Sequence, residues 1–162
     1  MIELTAQIII IILYLLVLYF VAGYDYYHMR VKLNEGLLLV VLGVAYMVAT
    51  GLYMETLVCL CLLLMIFGIP CLFGFGLGDL LVFVSLASFV AMGGIYWFLG
   101  VFFIVWVLWG VWMVKKKKDE GVFQRYRDAF SRKLMFTLEY PLVPVILIGF
   151  VIWLFLRCTP LF

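Results

Sequence analysis

The chain has 162 residues, 69% of them hydrophobic and only 12% charged, with a formal net charge of +2 and a mean hydropathy of +1.30. An ordinary soluble domain carries about 25% charged residues, so a water-facing globule is excluded here, and disorder is excluded because far too much apolar surface needs burial. The bilayer is the remaining solvent: at about 20 residues per spanning helix, the length allows six helices with short loops and no separate soluble domain.

Apolar runs bounded by turn or charge signals follow one another along the chain. The first is Ile8 to Gly23, closed by Asp25. The second is Gly36 to about Val48, and the third begins after Glu55 and ends near Phe73. Gly74-Phe75-Gly76-Leu77-Gly78-Asp79 leads into a fourth run, Leu80 to Met92. Gly93-Gly94 separates it from a fifth, about Ile95 to Val114. A polar stretch, Lys115 to Glu139, precedes a sixth run from Pro141 to Leu156. Met1 to Gln7 holds no Lys or Arg ahead of its apolar run, whereas a cleaved signal has a positive n-region, so the first segment is expected to be a retained helix. The expected fold is an all-α polytopic membrane bundle of about six transmembrane helices, forming a single domain over residues 1–162.

Charge placement orients it. Arg30 and Lys32 follow the first run; Lys115 to Lys118, Arg125, Arg127, Arg132 and Lys133 follow the fifth; the loops after runs two and four carry no Lys or Arg. The positive-inside rule puts the loops after runs one, three and five in the cytoplasm, which leaves both termini outside. Within the cytoplasmic loop at 115–139, Phe123, Tyr126, Phe130 and Leu134 share one helical face, while Arg125, Asp128 and Arg132 share another. That pattern predicts an amphipathic helix lying on anionic headgroups. A basic run abutting a membrane helix points to lipid as its partner and not to nucleic acid.

Cys59, Cys61, Cys71 and Cys158 have no zinc-finger spacing, and Cys-x-Cys in an apolar run reads as packing. The only histidine, His28, makes neither a triad nor a zinc site and is expected to be a solvated loop residue. No metal and no cofactor is therefore expected. Carboxylates are the informative groups, because one at the centre of a spanning helix costs roughly 2.5–3.5 kcal/mol on insertion scales. Glu3, Glu55 and Glu139 lie at edges, and Asp119, Glu120 and Asp128 lie in the polar loop. Asp25 closes the first run; Asp79 opens the fourth, with no Lys or Arg between Lys32 and Lys115. Asp79 stands where a helix N-cap would stand, and Asp25 could be a solvated loop residue.

Two features favour chemistry instead. Both aspartates fall at the cytoplasmic ends of their helices, so they can meet at one depth. Gly76 and Gly78, just before Asp79, remove side-chain bulk where another backbone, such as a substrate's, must approach. Two carboxylates close together in a low-dielectric site share a proton. One can then activate a water for attack on a peptide carbonyl, and the other can protonate the carbonyl oxygen and the leaving amine.

A first aspartate at one helix end and Gly76-Leu77-Gly78-Asp79 opening a later helix resembles the GxGD intramembrane aspartyl proteases. Tyr24-Asp25 with Gly76-Leu77-Gly78-Asp79 reads like the presenilin pair, although the nine helices and the Pro-Ala-Leu motif of that group are absent. Pro141-Leu142-Val143-Pro144 is a loose echo of it. The length and six runs look like the short type IV prepilin and archaeal preflagellin peptidases. Asp25 to Asn34, with Arg30-Val31 and Asn34, is similar to their post-aspartate segment, departing at Lys32 where proline is usual. The resemblance implies catalytic Asp25 and Asp79, and a prepilin- or preflagellin-like substrate with a short basic leader, cut at the cytoplasmic face of the cell membrane. The cysteine-rich zinc module of the longer bacterial enzymes is missing, and with it the expectation of N-methyltransferase activity. Two other classes fit the same residues: a small transporter or channel moving protons or cations past Asp25 and Asp79, and a non-catalytic assembly protein that docks through its basic loop.

Overall fold

The computed structural model describes residues 2–28, 31–68, 77–91, 94–119 and 142–158, and no strand occurs among them. The helices are α1 (Ile2–His28), α2 (Leu33–Thr50), α3 (Tyr53–Leu63) continuing as a π-helical turn (Leu64–Gly68), α4 (Leu77–Ala91), α5 (Ile95–Asp119) and α6 (Leu142–Cys158). Windows long and apolar enough to cross a membrane lie in α1, α2 and α5; the helices at Tyr53–Gly68, Leu77–Ala91 and Leu142–Arg157 are apolar but shorter. The 15 residues of α4 span about 22 Å at 1.5 Å per residue, against a hydrocarbon core of about 30 Å. The predicted amphipathic helix around Phe123–Leu134 lies outside the described residues.

Two helices run further than the apolar pattern predicts. Expected to end at Gly23, α1 continues to His28, because the half-buried Tyr24 and Tyr26 have apolar bodies that pack and, with exposed Tyr27, polar tips that tolerate the interface. Helix α5 passes through its lysines to Asp119, since long basic side chains can snorkel from the end of a membrane helix. Gly51 ends α2 with φ +70°, its N–H donating to the Met47 carbonyl at 2.9 Å. That left-handed position suits glycine, as does Gly94 at φ +85° ahead of α5.

The centre of the bundle is α4. Val82, Phe83, Ser85, Leu86, Ala87, Ser88, Phe89 and Val90 are all buried, which covers every side of the helix and explains its lack of an amphipathic pattern. Rings from its neighbours close on it: Phe67 stacks on Phe83 at 3.8 Å between centroids, and Tyr46 on Phe89 at 4.4 Å. Tyr14 of α1 lies 4.2 Å from Phe89 and 5.6 Å from Phe150 of α6. The outer helices instead turn their apolar residues outward. Only 17% of the α1 window and 22% of the α2 and α5 windows is buried, with Ile8, Ile9, Ile12, Leu16 and Phe20 exposed on α1. Apolar surface on that scale is stable against lipid and not against water.

Contacts between named residues set the directions. Gly36, Gly43 and Tyr46 of α2 meet Leu81, Ser85 and Phe89 of α4 in rising order, so the two helices are parallel. Tyr14 of α1 meets Ser85, and Val31, just beyond α1, meets Gly78, so α1 runs against α4. Val143 of α6 lies at Asp25 and Phe150 at Tyr14, so α6 also runs against α1. Gly149 contacts Phe102 and Trp153 pairs with Phe98, which reverses α5 again. One end of the bundle therefore gathers the last turn of α1, the first turns of α2, α4 and α6, and the lysine-bearing end of α5.

The α2–α4 contact depends on Gly43, where an added Cβ would lie 2.6 Å from the Ser85 carbonyl oxygen. Backbone cannot yield as a flexible side chain would. Gly43→Ala is expected to push the helices apart and destabilise the protein by about 1–3 kcal/mol, as overpacked sites do, measured by unfolding in detergent. An unchanged unfolding midpoint would show that the seam is looser than this.

Candidate functional site

Helical periodicity delivers Asp25 to the interior. Tyr14, Leu18, Val21, Ala22 and Asp25 form one buried stripe on α1, with Asp25 only 3% exposed. Eleven residues at about 100° each bring Asp25 to within roughly 20° of the direction of Tyr14. The rotation of α1 is locked further along by a polar contact. The Ser85 hydroxyl donates to the Val82 carbonyl at 2.7 Å, so the Tyr14 hydroxyl, 2.8 Å away, is left to donate to Ser85. Asp25 thus lies in the last turn of its helix, buried, and not in a solvated loop.

At the far side of that stripe stands the start of α6. The Val143 N–H donates to Asp25 Oδ2 at 3.1 Å, and the Leu142 N–H also faces the carboxyl. The first N–H groups of a helix have no partner within it and carry the positive end of its dipole. Asp25 supplies that partner from another helix. Pro144, next in the chain, has no N–H to satisfy, so Leu142, Val143 and Pro144 meet the aspartate as one arrangement.

Asp79 occupies the third position of α4, inside its first turn and half-buried. Leu77 and Gly78 are already helical, so Asp79 is not the N-cap, although a carboxylate in a first turn is still favoured by the dipole. Two contacts link this turn to the rest of the same end. A Cβ on Gly78 would fall 2.5 Å from Val31 Cβ and 2.8 Å from the Val31 carbonyl oxygen, so the backbone that closely approaches Gly78 is the chain's own, just beyond α1. Gly36 presses against Leu81, whose side chain lies 3.0 Å from where a Cβ would stand. Gly76 lies outside the described residues.

Around these acids, His28 is exposed in the last turn of α1, not in a loop, with its ring 4.3 Å from that of Tyr24. The Lys32 ammonium sits 4.3 Å over the same Tyr24 ring and 3.8 Å from Glu35 Oε1. Glu35 is the one acidic residue that sequence reasoning passed over. It reads as an ordinary helix-starting glutamate, and the signal that could have raised it is its place at the same helix end as Asp25 and Asp79. An open groove of about 540 Å³ runs beside the site between α1 and α6, lined by residues that include Tyr19, Gly23, Tyr24, His28, Pro144 and Leu147. Among the described residues no group of three potential metal ligands gathers; Cys59 is buried and Cys61 exposed, both as free thiols.

No family model, curated protein or solved structure matches this chain.

The contact at Gly78 yields a direct comparison within the protein. Gly78→Ala is expected to displace Val31 and lower stability by about 1–3 kcal/mol. Gly23→Ala, whose Cβ would meet nothing within 4 Å, should be neutral or stabilise by up to about 1 kcal/mol through helix propensity. Unfolding of the two variants in detergent checks the order, and equal effects would contradict the packing described here.

Proposed function

We propose that the protein is a membrane-embedded aspartyl endopeptidase that removes a short basic leader from prepilin- or preflagellin-like proteins. The observation that carries this reading is the gathering, at one end of the bundle, of buried Asp25 and the first turn of α4 that bears Asp79. In this reading six crossings leave both termini outside, and the end with Lys32 and Lys115 is cytoplasmic, as the positive-inside rule requires. Asp25 and Asp79 share one proton. The ionised carboxylate takes a proton from the attacking water and later gives it to the leaving amine, while the protonated one donates to the carbonyl oxygen and recovers that proton as the intermediate collapses. The N–H groups at the start of α6 hold Asp25 in a fixed orientation, which positions the carboxylate before substrate arrives. The substrate's own apolar helix keeps it in the bilayer, so its leader reaches the cytoplasmic interface where the aspartates lie.

A second reading is favoured by a specific contact. Asp25 satisfies the start of α6, and a purely structural Asp25 would suit a transporter or an assembly protein equally well. Asparagine separates the two, because its amide oxygen still accepts the Val143 N–H while its charge and proton are gone. As a peptidase, Asp25→Asn and Asp79→Asn each lose leader cleavage by at least about 10³-fold, in line with removal of an essential acid or base, and both remain folded in the membrane. Asp25→Ala loses stability as well, by about 1–3 kcal/mol for the unmet buried donor. Normal processing by either asparagine variant, measured as the mobility shift of a leader-bearing substrate in membranes, would exclude the catalytic role.

A further inference from the structure

Among the described residues, three buried polar atoms have no hydrogen-bond partner: Glu35 Oε2, Thr56 Oγ1 and Trp109 Nε1. Glu35 is the only charged group of the three, and it lies at the same end of the bundle as the two aspartates. Its neighbour in sequence, Gly36, packs on Leu81, two residues past Asp79. Its ion-pair partner, Lys32, lies over Tyr24, the residue before Asp25.

That ion pair leaves the glutamate unsatisfied. At 3.8 Å, the Lys32–Glu35 separation exceeds the ~2.7–2.9 Å of a charge-assisted hydrogen bond. The ammonium is also engaged by the Tyr24 ring, and Oε2 receives no donor at all. A carboxylate with one oxygen sealed from solvent and unpaired calls for a cationic donor. Oε2 itself is sealed, but the side chain as a whole is 32% exposed, so a cation approaches the carboxylate from its open side.

We propose that Glu35 determines substrate specificity by binding a lysine or arginine of the leader, displacing Lys32 toward solvent. This deepens the peptidase reading of Asp25 and Asp79 and rests on it. A cation held by Glu35 brings the adjoining peptide to the end of the bundle where the first turn of α4 and the last turn of α1 gather. Glu35 takes no part in proton transfer; it selects and registers the chain that the aspartates cut.

The test uses the full-length protein in phosphatidylcholine liposomes and two synthetic peptides. Each has the same apolar helix and a photo-cross-linking group, and the leaders differ only in carrying two lysines or two glutamates. Half-saturation of cross-linking reports binding; KM and kcat report cleavage. The wild type is expected to prefer the lysine leader by about tenfold or more, the size of one hydrogen bond to a charged group. Glu35→Gln should remove most of that preference through KM and half-saturation, and Glu35→Lys should reverse it. Should Glu35→Lys not fold, the near-isosteric glutamine variant still decides. If the wild type cuts but Glu35→Gln keeps the same preference, the role of Glu35 is overturned and the peptidase reading stands. If the wild type binds the lysine leader preferentially through Glu35 without cutting it, the peptidase reading falls and the binding role stands. If it neither binds nor cuts either peptide, both are overturned.

Discussion

Buried in a bundle, the start of a helix is a problem: its first N–H groups have no intrahelical acceptor and are shut away from water. In this protein the start of α6 finds its acceptor in the carboxylate of Asp25, eleven residues along α1 from the hydroxyl contact between Tyr14 and Ser85. Those two polar contacts act on one buried stripe and leave α1 a single rotation about its own axis. With α1 turned that way, its tyrosine-rich last turn, the groove beside it and the close approach of Val31 to α4 follow.

Helix α4 carries that order to the other side of the bundle. It is apolar on all faces, so hydrophobic burial alone would hold it in many rotations. Its position is chosen by shape instead: Gly43 admits the Ser85 backbone, Gly36 admits Leu81, and the Gly78 backbone admits Val31. Rings fill what remains, with Phe67, Phe83 and Phe102 forming a stacked and edge-on layer. In a medium as apolar as the side chains themselves, close backbone approach and dispersion supply much of the specificity that the hydrophobic effect provides in water. The consequence for function is that the first turn of α4, with Asp79, is held against the segment that follows Asp25.

Structure and proposed chemistry place different demands on the same carboxylate. As the partner of α6, Asp25 needs only an oxygen; as a catalytic group, it needs a charge and a proton. One carboxylate is able to serve both, and under the proposed function the helix start that it satisfies would also orient it toward a bound peptide. Glu35 fits the same economy of polar groups. Among the described residues it is the one carboxylate with an oxygen both buried and unpaired.

Composition by itself established the solvent and the secondary structure, because a chain so poor in charge has only lipid to face, and a backbone in lipid has to pair within its own helix. It also singled out Asp25 and Asp79, since carboxylates beside apolar runs are expensive enough to need a reason. Local pattern could not say that Asp25 lies inside α1: the tyrosines after Gly23 read as a loop by hydropathy, and only their packing shows them as helix. Nor could it say what Gly78 makes room for, which is Val31, or that Glu35 is unpaired, because a glutamate three residues after Lys32 looks self-sufficient in sequence. Which helices touch is a non-local matter in a bundle. Hydropathy marks each run as apolar but is blind to which apolar surface meets which. That choice was made by tertiary structure, through glycine-sized gaps, two buried polar contacts, and the acceptor that the start of α6 required.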